Sequence, residues 1–286
     1  MPLDPQRLLS LPPQETRHSF TVRDTILYAL GVGADDLRFL YEDGLQALPT
    51  MAVVLAYPGF FWRNPAYGID WKKILHGETS VELAGPLPVE GDLIGRTTID
   101  AIYDKGADKG AIVLSSRRIE DASGTHLATV RNTLFLRGDG GFGGQSEGAP
   151  RPHPVPADRA PDHVVTLSTA ENQALIYRLS GDYNPLHADP AVAAAAGFPR
   201  PILHGLCTYG VAGRALLAAL CGNDPARMRR MDVRFSSPVF PGETIKVEIW
   251  RENGNGDAIS RAAFRATAEE RGVLVLNNGY AELATP

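Results

Sequence analysis

The stretch Leu179–Leu206, LSGDYNPLHADPAVAAAAGFPRPILHGL, places an acid, an amide and an imidazole within six residues: Asp182, Asn184 and His187. The chain cannot be regular there, because a glycine ends the preceding apolar run and Pro185 prevents a helix from continuing. A carboxylate and a histidine on one stiff turn can share a water molecule and divide proton donation from proton abstraction. An Asp-x-Asn-Pro turn alone is more often plain loop chemistry, so the rest of the stretch has to support this interpretation.

A second imidazole, His204, directly precedes Gly205 and the segment GLCTYGVAGRALLAALCGND. This segment is apolar on all sides, which predicts a buried helix. The N–H of Gly205 would then lie at the positive end of the helix dipole, and the missing side chain would let a ligand approach the backbone. Cys207 and Cys221 lie about 21 Å apart on such a helix and cannot form a disulfide. No Cys/His cluster has ligand spacing, so the sequence predicts no metal site.

The composition and charge of the chain exclude some classes of binding partner. The chain has 286 residues and a formal net charge of -5, which gives no electrostatic footprint for nucleic acid. No stretch approaches 18 consecutive apolar residues, so we expect no membrane span. The N-terminus lacks an apolar signal core and the C-terminus carries no recognisable address. These features predict a cytoplasmic protein, or a peroxisomal one if the source is eukaryotic.

The chain repeats itself in two halves. Tyr28-Ala29-Leu30-Gly31 matches Tyr177-Arg178-Leu179-Ser180, and His76-Gly77 can be aligned with His204-Gly205. The second half contains alternating segments, MDVRFSS, ETIKVEIWRE, AISRAAFRATAEE and VLVLNNGYAEL, which predict an antiparallel sheet with a helix on one face. ENGNGD between the second and third predicts a hairpin. We therefore expect an α+β fold with an N-terminal repeat over 1–137, a Gly/Pro-rich linker over 138–160 and a C-terminal repeat over 161–286.

The halves differ between their aligned His-Gly pairs and the prolines Pro86 and Pro238 that follow. On this alignment the first half has too few residues after its His-Gly pair for the buried helix. It carries instead, before that pair, an aromatic segment, AYPGFFWRNPAYGIDW. The interpretation is that the first half-sheet lacks its central helix and leaves an apolar space. The alternative is that these aromatic side chains refill the core.

The stretch 179–206 resembles the hydratase 2 motif of the MaoC-like, (R)-specific enoyl-CoA hydratases. The similarity extends over TVRDTILYALGVGADDLRFLYED, LHGETSVELAGPLPVEGDL, DKG, LRGDGGFGG and RFSSPVFPGETI, as in the two-repeat hydratase 2 of peroxisomal multifunctional enzyme type 2. It implies a double hot-dog fold and reversible hydration of trans-2-enoyl-CoA to (3R)-3-hydroxyacyl-CoA in fatty-acid metabolism. It also implies an acyl-CoA thioester as the partner, no cofactor, a homodimer, and an acyl tail of medium or long chain length in the apolar space.

The resemblance also assigns site residues. The catalytic group would be Asp182, His187, Asn184 and Gly205, with Asn184 orienting the water or holding the loop. The substrate-binding group would be His76, Gly77, Lys105, Tyr183, His204 and Phe235. Two of these have a plain structural alternative, because His204 could be a core imidazole and Lys105 a solvated hairpin lysine.

Three other functions stay open from the sequence. Dehydration of 3-hydroxyacyl groups on a carrier protein is the same equilibrium on another carrier. A hot-dog acyl-CoA thioesterase would not require an acid and a histidine five residues apart. A non-catalytic acyl-CoA-binding module would not need Asp182, Asn184, His187 and Gly205 together.

Overall fold

The computed structural model describes residues 3–252 and 259–284. Its helices are α1 Pro5–Leu9, α2 Val22–Gly31, α3 Gln173–Tyr177, α4 Pro190–Ala195 and α5 Gly205–Leu216, the last continuing as a π-helical turn, Leu217–Cys221. Its strands are β1 Gln14–Phe20, β2 Ile74–Leu83, β3 Gly91–Asp104, β4 Ala111–Asp121, β5 His126–Leu136, β6 His163–Ser168, β7 Met228–Phe235, β8 Thr244–Glu252, β9 Ile259–Ala268 and β10 Val273–Ala284. Most of the predicted hairpin ENGNGD lies outside the described residues.

All ten strands form one antiparallel sheet, in the order β1-β3-β4-β5-β2-β7-β10-β9-β8-β6. The order is a mirror image about the β2–β7 pair, so each half contributes five strands with the same connectivity. The two half-sheets join where β2 pairs with β7, with Ser80 opposite Asp232. The two halves thus form one larger sheet, and the expected α+β double hot-dog class is confirmed.

The helices of the two halves pack against each other. The rings of Tyr28 on α2 and Tyr177 on α3 are both buried, with their centroids 6.0 Å apart. The Gln173 side chain donates a hydrogen bond of 2.5 Å to the carbonyl of Gly31. One hydrophobic core therefore runs through both halves, with α5 and its two free cysteines buried inside it.

The alignment of His76-Gly77 with His204-Gly205 is wrong. His76 and Gly77 lie inside β2, whose counterpart is β7, whereas His204 and Gly205 begin α5 before that strand. Between α2 and β2 there are 42 residues, and between α3 and β7 there are 50, so the first half has not lost the residues of a helix. It still lacks a long helix, as expected. Repeated proline and glycine break the segment, and only a short 3-10 turn, Pro49–Val53, forms opposite α5.

The aromatic segment is divided between core and surface. Trp62 is buried in a second, smaller core with Leu3, Leu8 and neighbouring strand residues. Phe60 and Trp71 are 40% and 36% exposed. The turn Pro49–Val53 is buried throughout and packs against β2, β5 and α5, so protein occupies much of the space expected to be open. Acceptance of medium or long acyl chains stays a prediction.

No helix among the described residues is both long enough and apolar enough to span a bilayer.

Candidate active site

The loop that carries the acid, the amide and the imidazole is held by its own backbone hydrogen bonds. Gly181 has a φ of +117°, which a side chain would oppose. The Asp182 carboxylate accepts the N–H of Asn184 at 3.1 Å, and the Asn184 amide oxygen accepts the N–H of Leu186 at 3.2 Å. Asn184 thereby caps the 3-10 turn Pro185–His187. Its amide nitrogen has no hydrogen-bond partner among the described residues and stays free to donate. The predicted stiff turn is confirmed.

His187 is held as a neutral imidazole with one defined tautomer. It is only 8% exposed, and its Nδ1 lies 2.8 Å from the carbonyl oxygen of Ile202. A carbonyl only accepts hydrogen bonds, so Nδ1 carries the proton and Nε2 is left as the free base. Burial lowers the pKa of His187, while the nearby Asp182 carboxylate acts in the opposite direction. A free Nε2 beside a carboxylate is an acid–base pair.

The imidazole ring of His204 packs against that of His187. The two imidazole rings stack with their centroids 3.7 Å apart and an interplanar angle of 28°. Nε2 of His204 lies 3.2 Å from the carbonyl oxygen of Asp182, and its Nδ1 is buried without a hydrogen-bond partner in the described part of the chain. Burial and the neighbouring His187 lower the pKa of His204 to about 4. A neutral ring at this position keeps His187 in place and ties it to the loop that carries Asp182.

Asp182, His187 and His204 also raise the question of a metal ion. One ligand-type atom from each lies within 4.8 Å of the others, a grouping that the sequence spacing did not predict. Coordinating lone pairs lie in the plane of an imidazole, so two nearly stacked rings direct them side by side rather than toward one ion. Both rings already contact backbone carbonyls. The geometry therefore fits proton transfer better than coordination.

Gly205 is the first residue of α5 and is exposed. The hydrogen bonds of α5 begin at the His204 carbonyl, which accepts the N–H groups of Cys207 and Thr208. The N–H of Gly205 belongs to the first turn and has no intrahelical acceptor. A Cβ at Gly205 would come within 3.3 Å of the Phe235 ring. This position therefore offers a free donor at a helix N-terminus, next to an aromatic wall.

The first half of the chain reaches the same site through His76. Its ring centroid lies 4.9 Å from that of Phe235, which joins it to the wall beside Gly205. Nε2 of His76 contacts the Asn132 amide oxygen at 3.0 Å and the Thr79 hydroxyl at 2.7 Å. Burial lowers the pKa of His76, and the charge on Asp182 acts against this effect. The site thus forms where the two half-sheets meet.

Three other predicted contacts have different surroundings. A Cβ on Gly77 would come within 2.3 Å of the Phe135 ring, so this glycine is needed for packing. Lys105, in the β3–β4 hairpin, donates to the carbonyl of Ser146 in the linker. Tyr183 is 57% exposed, with the Arg178 guanidinium 4.9 Å from its ring centre. Contacts of Gly77, Lys105 and Tyr183 with substrate stay predictions.

Sequence reasoning missed Tyr57. Tyr57 is 42% exposed, and the partial burial of its phenol raises the pKa, with the charge of Asp182 acting in the same direction. The guanidinium of buried Arg117 lies 5.5 Å from the Tyr57 ring centre and donates to the carbonyl of Val53 at 2.7 Å. Ala56, directly before Tyr57, has a φ of +48°, an unusual conformation for a residue with a side chain. No local pattern in the sequence marks this tyrosine.

Comparisons with known proteins show which families the chain resembles. Residues 154–271 match the model of the MaoC like domain, and residues 18–138 match the MFE-2 hydratase 2 N-terminal domain. The chain is 46% identical to 3-hydroxyacyl-thioester dehydratase Y of Mycobacterium tuberculosis, with 92% of each protein covered. It is 39% identical to the peroxisomal enoyl-CoA hydratase 2 of Arabidopsis thaliana, covering 94% of this chain and 92% of that protein. The crystal structure of a MaoC-like dehydratase from Phytophthora capsici superposes with a TM-score of 0.86, 39% identity and 98% of each chain covered.

Proposed function

Because the chain belongs to the MaoC-like dehydratases of the hydratase 2 type, we propose that it hydrates trans-2-enoyl-CoA reversibly to (3R)-3-hydroxyacyl-CoA in fatty-acid metabolism. The observation that carries this proposal is the placement of an acid–base pair and a free helix N–H around one cleft. Asp182 and the free Nε2 of His187 lie on one loop, and Gly205 opens the adjacent helix. Such a site matches the demands of adding water to a conjugated thioester.

The reaction needs a base for water and an acid for C2 of the substrate. In the proposed mechanism a water molecule sits between the Asp182 carboxylate and Nε2 of His187, oriented by the free amide nitrogen of Asn184. Water loses a proton to this pair as its oxygen attacks C3, and the pair delivers a proton to C2. Both groups come from one loop, so water and proton reach the same face of the alkene.

Negative charge moves to the thioester oxygen during the attack. A donor already in place at that oxygen stabilises the transition state without reorganisation. The N–H of Gly205 supplies such a donor, strengthened by the dipole of α5. The thioester itself serves as the electron sink, so the proposed chemistry uses only side chains, one backbone N–H and water.

A second candidate function uses the same chemistry but differs in the direction of the reaction and in the carrier of the acyl group. The relative at 46% identity is named as a 3-hydroxyacyl-thioester dehydratase, and dehydration is the reverse reaction.

The relatives include a peroxisomal enzyme, and a cytoplasmic or peroxisomal location for this chain is part of the proposal. So is association into a homodimer.

The test is direct. The purified protein is incubated with crotonyl-CoA, the loss of enoyl absorbance is followed, and the product is resolved by chirality. We expect rapid hydration to the (3R) product. Thioester cleavage with release of free CoA would instead support the hot-dog thioesterase alternative. Binding without turnover would support the binding module.

A further inference from the structure

An exposed group of aromatic and cationic side chains lies outside the proposed catalytic site. The rings of Phe60 and Trp71 meet edge to face, with centroids 6.3 Å apart. The guanidinium of Arg63 lies 4.8 Å from the Trp71 ring centre and 5.6 Å from that of Phe60, and the Lys72 ammonium lies 5.8 Å from the Trp71 ring centre. We call these four residues the aromatic–cation cluster.

The positive charge of this cluster is not neutralised by the protein around it. Neighbouring Lys73 forms an ion pair of 3.0 Å with Asp70. Neither Arg63 nor Lys72 has a carboxylate partner within 3–252 and 259–284. Two unpaired cations beside two accessible aromatic rings form a surface suited to an aromatic anion.

The cluster lies close in sequence to a residue of the proposed active site. The turn Trp71–Lys73 leads directly into β2, and His76 of β2 lies against Phe235 at the catalytic cleft. Trp71 and His76 are five positions apart, so their Cα atoms lie at most about 18 Å from each other. Exposed Leu75 lies between them on the same strand. A ligand with a long flexible arm could have its reacting group at the cleft and its distal end at the cluster.

We propose that the aromatic–cation cluster binds the adenine nucleotide of CoA while the thioester occupies the catalytic cleft. This inference rests on the proposed function. Adenine stacks on the Trp71 indole beside Phe60, in place of the guanidinium that now covers it. The displaced Arg63 and the neighbouring Lys72 pair with the phosphates, for which guanidinium and ammonium groups are suited. The cluster would then distinguish CoA thioesters from thioesters on a carrier protein, which present no adenine.

The test compares two thioesters with the same reacting end. Crotonyl-CoA carries the nucleotide, and crotonyl-pantetheine lacks it. Since stacking of a base on an aromatic side chain is lost in Trp71→Ala, we expect its KM for crotonyl-CoA to rise roughly 5- to 100-fold, with kcat nearly unchanged. Its KM for crotonyl-pantetheine should equal that of the wild type. The double variant Arg63→Gln, Lys72→Gln should behave in the same way and lose most of the salt dependence of KM.

Matched controls are Tyr41→Ala, an exposed aromatic, and Arg23→Gln, an exposed arginine on α2. Both should leave the two KM values unchanged. A wild-type protein that hydrates crotonyl-CoA while Trp71→Ala and the double variant keep its KM would overturn the nucleotide site alone. A wild-type protein inactive on both thioesters would overturn the proposed function. If Trp71→Ala unfolds, the double variant decides the question.

Discussion

Replacement of Asp182 by asparagine tests the acid–base pair with little change in shape. We expect kcat/KM for crotonyl-CoA to fall by about 10²–10⁴, which corresponds to roughly 2.7–5.4 kcal/mol of transition-state stabilisation. The loop should keep its conformation, because the carboxylate accepts one backbone hydrogen bond, the Asn184 N–H at 3.1 Å, and an amide oxygen can accept it as well. The rate is followed by enoyl absorbance, and the fold by circular dichroism and Tm.

The same substitution should leave a second signature in the pH profile. Burial lowers the pKa of both His187 and His76, and the Asp182 charge opposes that effect at each. Without the charge, both pKa values fall further. The acid limb of the residual activity should therefore move to lower pH in Asp182→Asn.

Asp189→Asn is the matched control on the same loop. The Asp189 carboxylate accepts the N–H of Ala191 at 2.8 Å and caps α4, a role that asparagine fills equally well. Its activity should stay close to wild type. If Asp182→Asn were folded and nearly as active as the wild type, the assignment of Asp182 as an acid–base group would be refuted. If both variants lost activity alike, loop structure rather than chemistry would explain the result.

The remaining predictions concern the other site residues. His187→Gln should lower kcat by about 10²–10⁴, since an amide cannot take the proton that Nε2 accepts, and a folded variant with normal turnover would remove this residue from the mechanism. Gly205→Ala should keep a normal Tm, because alanine favours helix. It should lower kcat by about 10², because the new methyl group lies 3.3 Å from the Phe235 ring and crowds the free N–H. An unchanged kcat would contradict the oxyanion role. The pKa of His204 is about 4 in the folded protein against 6.5 ordinarily, so the unfolded chain binds the extra proton between these values. The free energy of unfolding should therefore fall by roughly 3 kcal/mol between pH 7 and pH 4 on account of this group. Urea unfolding of wild type and His204→Asn at both pH values measures this, and equal pH slopes would count against it.

Much of the sheet was predictable, because alternation of apolar and polar residues is a local property of a strand. The four strands β7 to β10 of the second half follow such segments closely. The edge strands β1 and β6 were not predicted. Apart from Phe20, none of their residues is fully buried, so their apolar signal is weaker than that of the inner strands. Sequence repetition also predicted two similar halves.

The halves were misaligned because a match of two residues is too short to identify corresponding strands and helices. A His-Gly pair occurs both in β2 and before α5, and nothing in two residues distinguishes a strand from a helix start. The real counterparts follow from strand order, which depends on pairing between distant segments.

The sequence by itself determined the turn at 181–187, since Gly181 and Pro185 restrict the backbone through sterics within a few consecutive residues. It thereby determined that Asp182 and His187 would lie together. Only the tertiary structure decided that His76, from the other half, contacts Phe235 beside Gly205. That contact depends on the register between β2 and β7, where a shift of one residue would turn every side chain to the opposite face. Register is set by the packing of the whole core, so no short stretch of sequence encodes it.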